Sequence, residues 1–176
     1  MSKDLYPPTI SLLYTYFLRP KLEYASPVWH GNLLEQDALA LERVQSAVAR
    51  AVLRAPFRTP KSELFERLDW PSLRWRREIA SMVLFHRILH TRPKPLDACL
   101  FKFAHTVSDR SLRKPKQLLL QEAHTTKYIN TFFYRTSMIW NTLPAQIQNI
   151  SNHHHFKDAL EAHWSIHKYS TRFTLI

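Results

Sequence analysis

Glycine is nearly missing from this chain of 176 residues, which has one, Gly31, where average usage would give about 12. Glycine supplies the positive-φ positions of tight hairpins and lets backbone approach a phosphate closely. A turn-rich all-β fold, a P-loop enzyme and a GxGxxG dinucleotide fold are thereby all but excluded. There is a single cysteine, Cys99. No internal disulfide and no cysteine-based zinc site can be built from it, and a reducing intracellular compartment, nucleus or cytoplasm, is expected. The uncharged run from Leu5 to Leu18 is too short to cross a bilayer and is interrupted by Pro7 and Pro8. No secretory signal is read and no membrane partner is expected. No serine sits in a GxSxG elbow. The six aspartates, Asp4, Asp37, Asp69, Asp97, Asp109 and Asp158, are nowhere adjacent, whereas two-metal phosphoryl transfer needs clustered carboxylates. The expectation is a chain with no catalytic residue, metal, cofactor or small-molecule substrate.

Positive charge and proline are what the sequence has in quantity. Lysine and arginine number 25 against 14 acids, a net charge of +11. Such an excess points to an acidic partner, without saying which. Hydrophobic residues make up 45%, enough for a core. Most element boundaries fall at one of the 11 prolines, which suits short helices joined by angular loops.

The spacing predicts a helix over 9–19 ended by Pro20, then an extended or irregular stretch over 22–29. A long amphipathic helix follows over 33–54, with Asn32 and Glu35 as a capping box. Its apolar stripe is Leu34, Leu41, Val44, Val48, Ala51 and Val52, and Glu42 and Gln45 lie away from it. Thr59-Pro60 opens a short helix to Leu68, and Ser72 opens another long one to His90. From Arg92 to Lys116 seven basic residues stand against Asp97 and Asp109, an irregular basic connector. A helix over 129–140, one short turn or helix over 144–150 and a helix over 154–167 close the chain, the last capped by Ser151 or Asn152. The fold class is mainly α: an irregular helical bundle with proline-marked boundaries. It divides into a helical unit (1–91), a basic connector (92–126) and an aromatic-rich helical unit (127–176). The 33–54 and 72–90 helices are expected to pack antiparallel across the short helix between them.

Two stretches carry a resemblance. The first runs from Tyr14 to Trp29, with Arg19-Pro20-Lys21-Leu22-Glu23-Tyr24-Ala25-Ser26-Pro27-Val28-Trp29 at its end, followed by Leu41-Glu42-Arg43-Val44-Gln45-Ser46-Ala47-Val48-Ala49-Arg50 and by Leu68 to Arg77. The second is Phe132-Phe133-Tyr134-Arg135, then Trp140-Asn141-Thr142-Leu143-Pro144, then Phe156-Lys157. In this order they resemble the C-terminal blocks of non-LTR retrotransposon reverse transcriptases of the jockey and chicken-repeat type, in and after the thumb. The sequence departs from that pattern at His30-Gly31 and at His153-His154-His155. The resemblance implies that residues 1–91 are thumb-like. It implies that the chain is the piece after the active site, without the palm whose paired aspartates hold the metals. It implies structural roles for Arg19, Pro20, Glu23, Tyr24, Trp29, Glu42, Gln45, Phe133, Arg135, Trp140, Asn141 and Pro144.

The function expected on this basis is non-catalytic holding of RNA or an RNA–DNA duplex through phosphates. The candidate contacts are Arg74, Arg76, Arg77, Arg110, Arg113, Lys114 and Lys116. Trp75, Trp140 and Trp164 lie in amphipathic helices and are read as core. Tyr24 and Trp29 are read as pins holding the irregular segment to the long helix, and Arg135 and Asn141 as partners for buried backbone groups. The i,i+4 pairs His86/His90 and His163/His167 are read as chance spacing, with no third ligand. The alternative function is a helical protein-interaction remnant, domesticated or decayed, with no nucleic-acid role. A contiguous exposed patch of Tyr14, Phe17, Val28 and Trp29, open to a missing palm or another protein, would favour it.

Overall fold

The structure, a computed structural model, describes residues 6–91, 117–120 and 122–171. It is mainly α, and its described residues form two compact units. The first comprises residues 6–26, 33–77 and 166–171, the second residues 27–32, 78–91, 117–120 and 122–165. The division falls inside a long helix at residue 77 and not at the 91/92 boundary expected, and residues 166–171 belong with the first unit.

The first unit begins with α1 (Pro7–Leu13), which runs through a π-helical turn (Tyr14–Leu18) into α2 (Arg19–Glu23). Pro20 therefore does not end the first helix. A proline ring clashes with the carbonyl one turn back. Here the turn before it is widened, and the Arg19 N–H reaches five residues back to the Tyr14 carbonyl. The stretch expected to be extended is instead helical over α3 (Ser26–Trp29) and a 3₁₀ turn (His30–Asn32). A break at Tyr24 and Ala25, the latter at φ 50°, separates α3 from α2.

The helix α4 (Glu35–Leu53) starts without the expected capping box: its N-cap is Leu34, and no side chain caps it. The buried face is also turned from the expected stripe. Ala38, Glu42, Gln45, Ser46 and Ala49 are inside, while Leu34 and Val44 are exposed. α4 lies along α1 and α5 (Lys61–Leu68). α4 also meets the first turn of α6 (Leu73–Thr91) through the Glu42 side chain. Tyr14, Ala49, Leu64, Phe65 and Trp70 form the core, with Tyr14 stacked on Trp70 at 4.7 Å. Full burial of a side chain like Phe65 or Leu64 is worth roughly 1.5–3 kcal/mol. α4 and α5 end on left-handed residues, Arg54 (φ 49°) and Asp69 (φ 50°), positions where glycine is the usual choice.

In the second unit the expected helix over 129–140 is two: α7 (Thr126–Ile129) and α8 (Phe132–Thr142). The extended backbone of Thr131 separates them, and its hydroxyl donates to the Tyr128 carbonyl. A short α9 (Ala145–Gln148) follows Pro144. Asn152 then caps α10 (His153–His163) by accepting from the His154 and His155 amides, as expected, and a 3₁₀ turn (Ser165–His167) closes it. Phe85, Trp140 and Phe156 cluster within this unit, Phe85 and Trp140 with ring centroids 6.1 Å apart. Trp75, Trp140 and Trp164 are all core residues, as their helical spacing indicates.

Candidate nucleic-acid interface

Arg74, Arg76 and Arg77 stand on the first turn and a half of α6. Two donors at the start of that helix are satisfied by side chains. The Ser72 hydroxyl accepts from the Trp75 N–H at 3.2 Å, and the Glu42 carboxylate accepts from the Arg74 N–H at 2.7 Å. A buried carboxylate on first-turn amides also complements the helix dipole. Burial pushes the Glu42 carboxyl up, and the Arg74 amide and the charge of Arg77 oppose that rise.

The three guanidiniums are all engaged within the first unit or buried in it. Arg74 forks onto both oxygens of Glu35, at 2.9 and 3.2 Å. Arg76 forks onto both oxygens of Glu23, one of them at 2.9 Å. Arg77 has no exposed surface and cannot reach a phosphate in this conformation. Its expected role as a contact is therefore corrected to a core charge beside Glu42. Arg110, Arg113, Lys114 and Lys116 lie outside the described residues.

The residues implied by the resemblance divide by chemistry. Gln45, fully buried, accepts from the Tyr14 hydroxyl at 2.6 Å and donates to the Pro71 carbonyl at 3.0 Å. Burial pushes the Tyr14 hydroxyl pKa up. Glu23 holds Arg76, and Arg19 is half-buried on the same helix. Tyr24 is 80% exposed, whereas Trp29 is half-buried. Tyr14 does not belong to an exposed patch, since it is 2% exposed, whereas Phe17 and Val28 are open to solvent.

In the second unit Asn141 accepts from the Leu118 N–H at 2.8 Å and donates to the Leu118 carbonyl at 2.9 Å. This is the backbone pairing expected of it. Arg135 differs: it donates to the Glu78 carboxylate at 2.5 Å and to the Ser81 hydroxyl, not to backbone. His30 completes the cluster, its Nε2 lying 2.9 Å from the other Glu78 oxygen. Burial pushes the Glu78 carboxyl up, but the His30 hydrogen bond and the charges of His30 and Arg135 outweigh it and bring it down to about 2. Gly31 stands against this cluster. A Cβ there would lie 2.0 Å from the Asn130 carbonyl oxygen and 3.1 Å from Arg135. Trp140 is core, Phe133 is half-buried, and Pro144 is the N-cap of α9. His86 accounts for one histidine pair. It stacks on Phe156 at 4.1 Å, with Nε2 2.7 Å from the Ile150 carbonyl.

No family model, curated protein or solved structure matches this chain.

Sequence reasoning missed Glu78 and His30 as partners. The one usable signal was Gly31, the only glycine. Among the described residues no group of three or more His, Cys, Asp or Glu is placed to hold a metal ion. Among them, too, no helix is long and apolar enough to cross a membrane.

Several of the described acids are engaged with neighbours in their own unit. Glu23, Glu35, Glu42, Glu78 and Asp69 each bind an arginine, a lysine or a helix amide. Lys21, Arg43, Arg54, Arg58, Arg87 and Lys127 are exposed and take part in no ion pair found among the described residues. Asp37, Glu66, Glu122 and Asp158 are likewise exposed and take part in no ion pair found among the described residues, so cations outnumber acids in this set.

Proposed function

We propose that this chain is a non-catalytic helical module that holds RNA or an RNA–DNA duplex through its phosphates. This is the role its resemblance to the thumb and post-thumb region of a non-LTR retrotransposon reverse transcriptase implies. The observation that carries the reading is the exposed set Lys21, Arg43, Arg54, Arg58, Arg87 and Lys127, which outnumbers the exposed acids in no ion pair among the described residues, Asp37, Glu66, Glu122 and Asp158. Exposed lysines and arginines bind phosphate by releasing condensed counterions, with no need to read bases. Arg74 and Arg76 act in this reading as braces for α6. The test compares binding of the full chain to single-stranded RNA, duplex DNA and an RNA–DNA hybrid of equal length. Micromolar or tighter affinity with preference for RNA or the hybrid is expected. Equal, weak binding to all three at physiological salt contradicts the reading.

One observation favours a second reading. Leu12, Leu13, Tyr16 and Phe17 lie on successive turns of one helical segment and are all exposed, Tyr16 and Phe17 by more than 60%. An apolar stripe of this kind fits the protein-interaction remnant. Failure of nucleic-acid binding, together with self-association relieved by Tyr16→Ser and Phe17→Ser, would favour it.

A further inference from the structure

One cavity lies in the first unit, away from the arginines of α6. It has a volume of about 470 Å³ and is open to solvent. Arg43 of α4 lines one wall, and Lys61 and Ser62, the first two residues of α5, line another. Tyr169, Ser170 and Thr171 supply a third. The lining thus holds two cationic residues, three with aliphatic hydroxyls and the apolar Leu39, and no carboxylate. The nearby acid Asp69 is occupied: Lys168 holds it at 2.6 Å and the Tyr169 hydroxyl at 2.7 Å. These bonds, with that of the Ser72 N–H to the Lys168 carbonyl, fix Lys168 and Tyr169 against the unit.

We propose that this cavity takes a phosphate group of a nucleic-acid strand, with Arg43 and Lys61 as its cationic contacts and Ser62, Ser170 and Thr171 as hydroxyl donors. Two cations facing one cavity repel each other, and an anion between them turns that repulsion into attraction. Hydroxyls beside them donate to phosphate oxygens, and the arginine fork matches phosphate geometry. The volume falls in the range of ligand sites of roughly 300–1,000 Å³, so a sugar or base attached to the phosphate has room. The inference rests on the proposed function, since a strand is named as the source of the phosphate. A free nucleoside monophosphate shares the chemistry, and the test separates the two.

The experiment uses the full chain. Amide resonances are followed during titration with an RNA 12-mer, and separately with adenosine monophosphate. Affinities for the 12-mer are measured for wild type, Arg43→Gln/Lys61→Gln, Ser62→Ala/Thr171→Val, and the charge-matched control Arg67→Gln/Lys157→Gln. Support is movement of the Ser62, Ser170 and Thr171 amides with the 12-mer and a tenfold or greater loss in Arg43→Gln/Lys61→Gln. The control is expected to lose less than threefold. The Ser62→Ala/Thr171→Val pair keeps the charge and is expected to lose about threefold; it decides the matter if the first double variant does not fold. Strong 12-mer binding with still pocket amides and unaffected variants overturns the pocket and leaves the proposed function standing. Pocket amides that move with adenosine monophosphate, while the 12-mer does not bind at all, overturn the strand as ligand and the proposed function together.

Discussion

Gln45 has no exposed surface and serves two partners, the Tyr14 hydroxyl and the Pro71 carbonyl. Gln45→Leu keeps the volume and strips both hydrogen bonds. It should destabilise the fold by about 2–4 kcal/mol, since each stranded buried polar group costs about 1–3 kcal/mol. Urea denaturation measures it, and Tyr14→Phe should cost less than Gln45→Leu. Glu78 gives a pH prediction. Its carboxyl is held at about 2, below the ordinary 4.5. Its ionised form therefore stabilises the fold fully above about pH 4.5, and this contribution is lost as pH falls toward 2. The loss is on the order of 3 kcal/mol. Urea midpoints taken from pH 6 to pH 2.5 should fall more steeply for wild type than for Glu78→Gln. Glu78→Gln itself should be less stable at pH 7, because Arg135 keeps a buried charge without its counterion. At Gly31 any side chain meets the Asn130 carbonyl. Gly31→Ala should cost more than about 2 kcal/mol, because a backbone group, not a flexible tip, must move. These residues also mark where reading the sequence fails. Polar periodicity places Glu42 and Gln45 outside, because polar side chains usually face water. Here they face inward because the Arg74 N–H, the Tyr14 hydroxyl and the Pro71 carbonyl need them, and those needs arise only once distant segments meet.

At the scale of elements, the long helices and their prolines were legible, and the joints between them were not. α6 and α10 follow from spacing and from capping by Ser72 and Asn152. The passage through Pro20 was hidden because a π-helical turn leaves no mark in a 3.6-residue pattern. The helix ends at Arg54 and Asp69 were also hidden: a chain with one glycine leaves left-handed caps to residues that carry no such signal. This yields a prediction. Arg54→Gly relieves the strain of φ 49°, and it should raise stability by about 0.5–1 kcal/mol. A fall in the urea midpoint would contradict that account. Asn141 supplies a second prediction. It pairs with both backbone groups of Leu118, so Asn141→Ala should lower protection of the Leu118 amide from hydrogen exchange before that of the α8 core.

At the scale of the whole molecule, the distribution of charge carries the account. Each unit engages some of its acids locally: Glu23 and Glu42 in the first, Glu78 in the second. Of the exposed charges in no ion pair among the described residues, cations outnumber acids, Lys21, Arg43, Arg54, Arg58, Arg87 and Lys127 against Asp37, Glu66, Glu122 and Asp158. Three of the contacts the sequence suggested serve other ends, Arg77 as a buried charge and Arg74 and Arg76 as braces. Charge counting locates basic residues but does not say which of them a carboxylate already holds. The central claim, that this surface grips phosphates, is tested most directly by one salt series. The affinity of the full chain for an RNA–DNA hybrid is measured from about 50 to 200 mM salt. The account predicts a linear fall of log K with log salt, with a slope steeper than about −3, as for four or more phosphate contacts. A slope near zero, at any affinity, would contradict it.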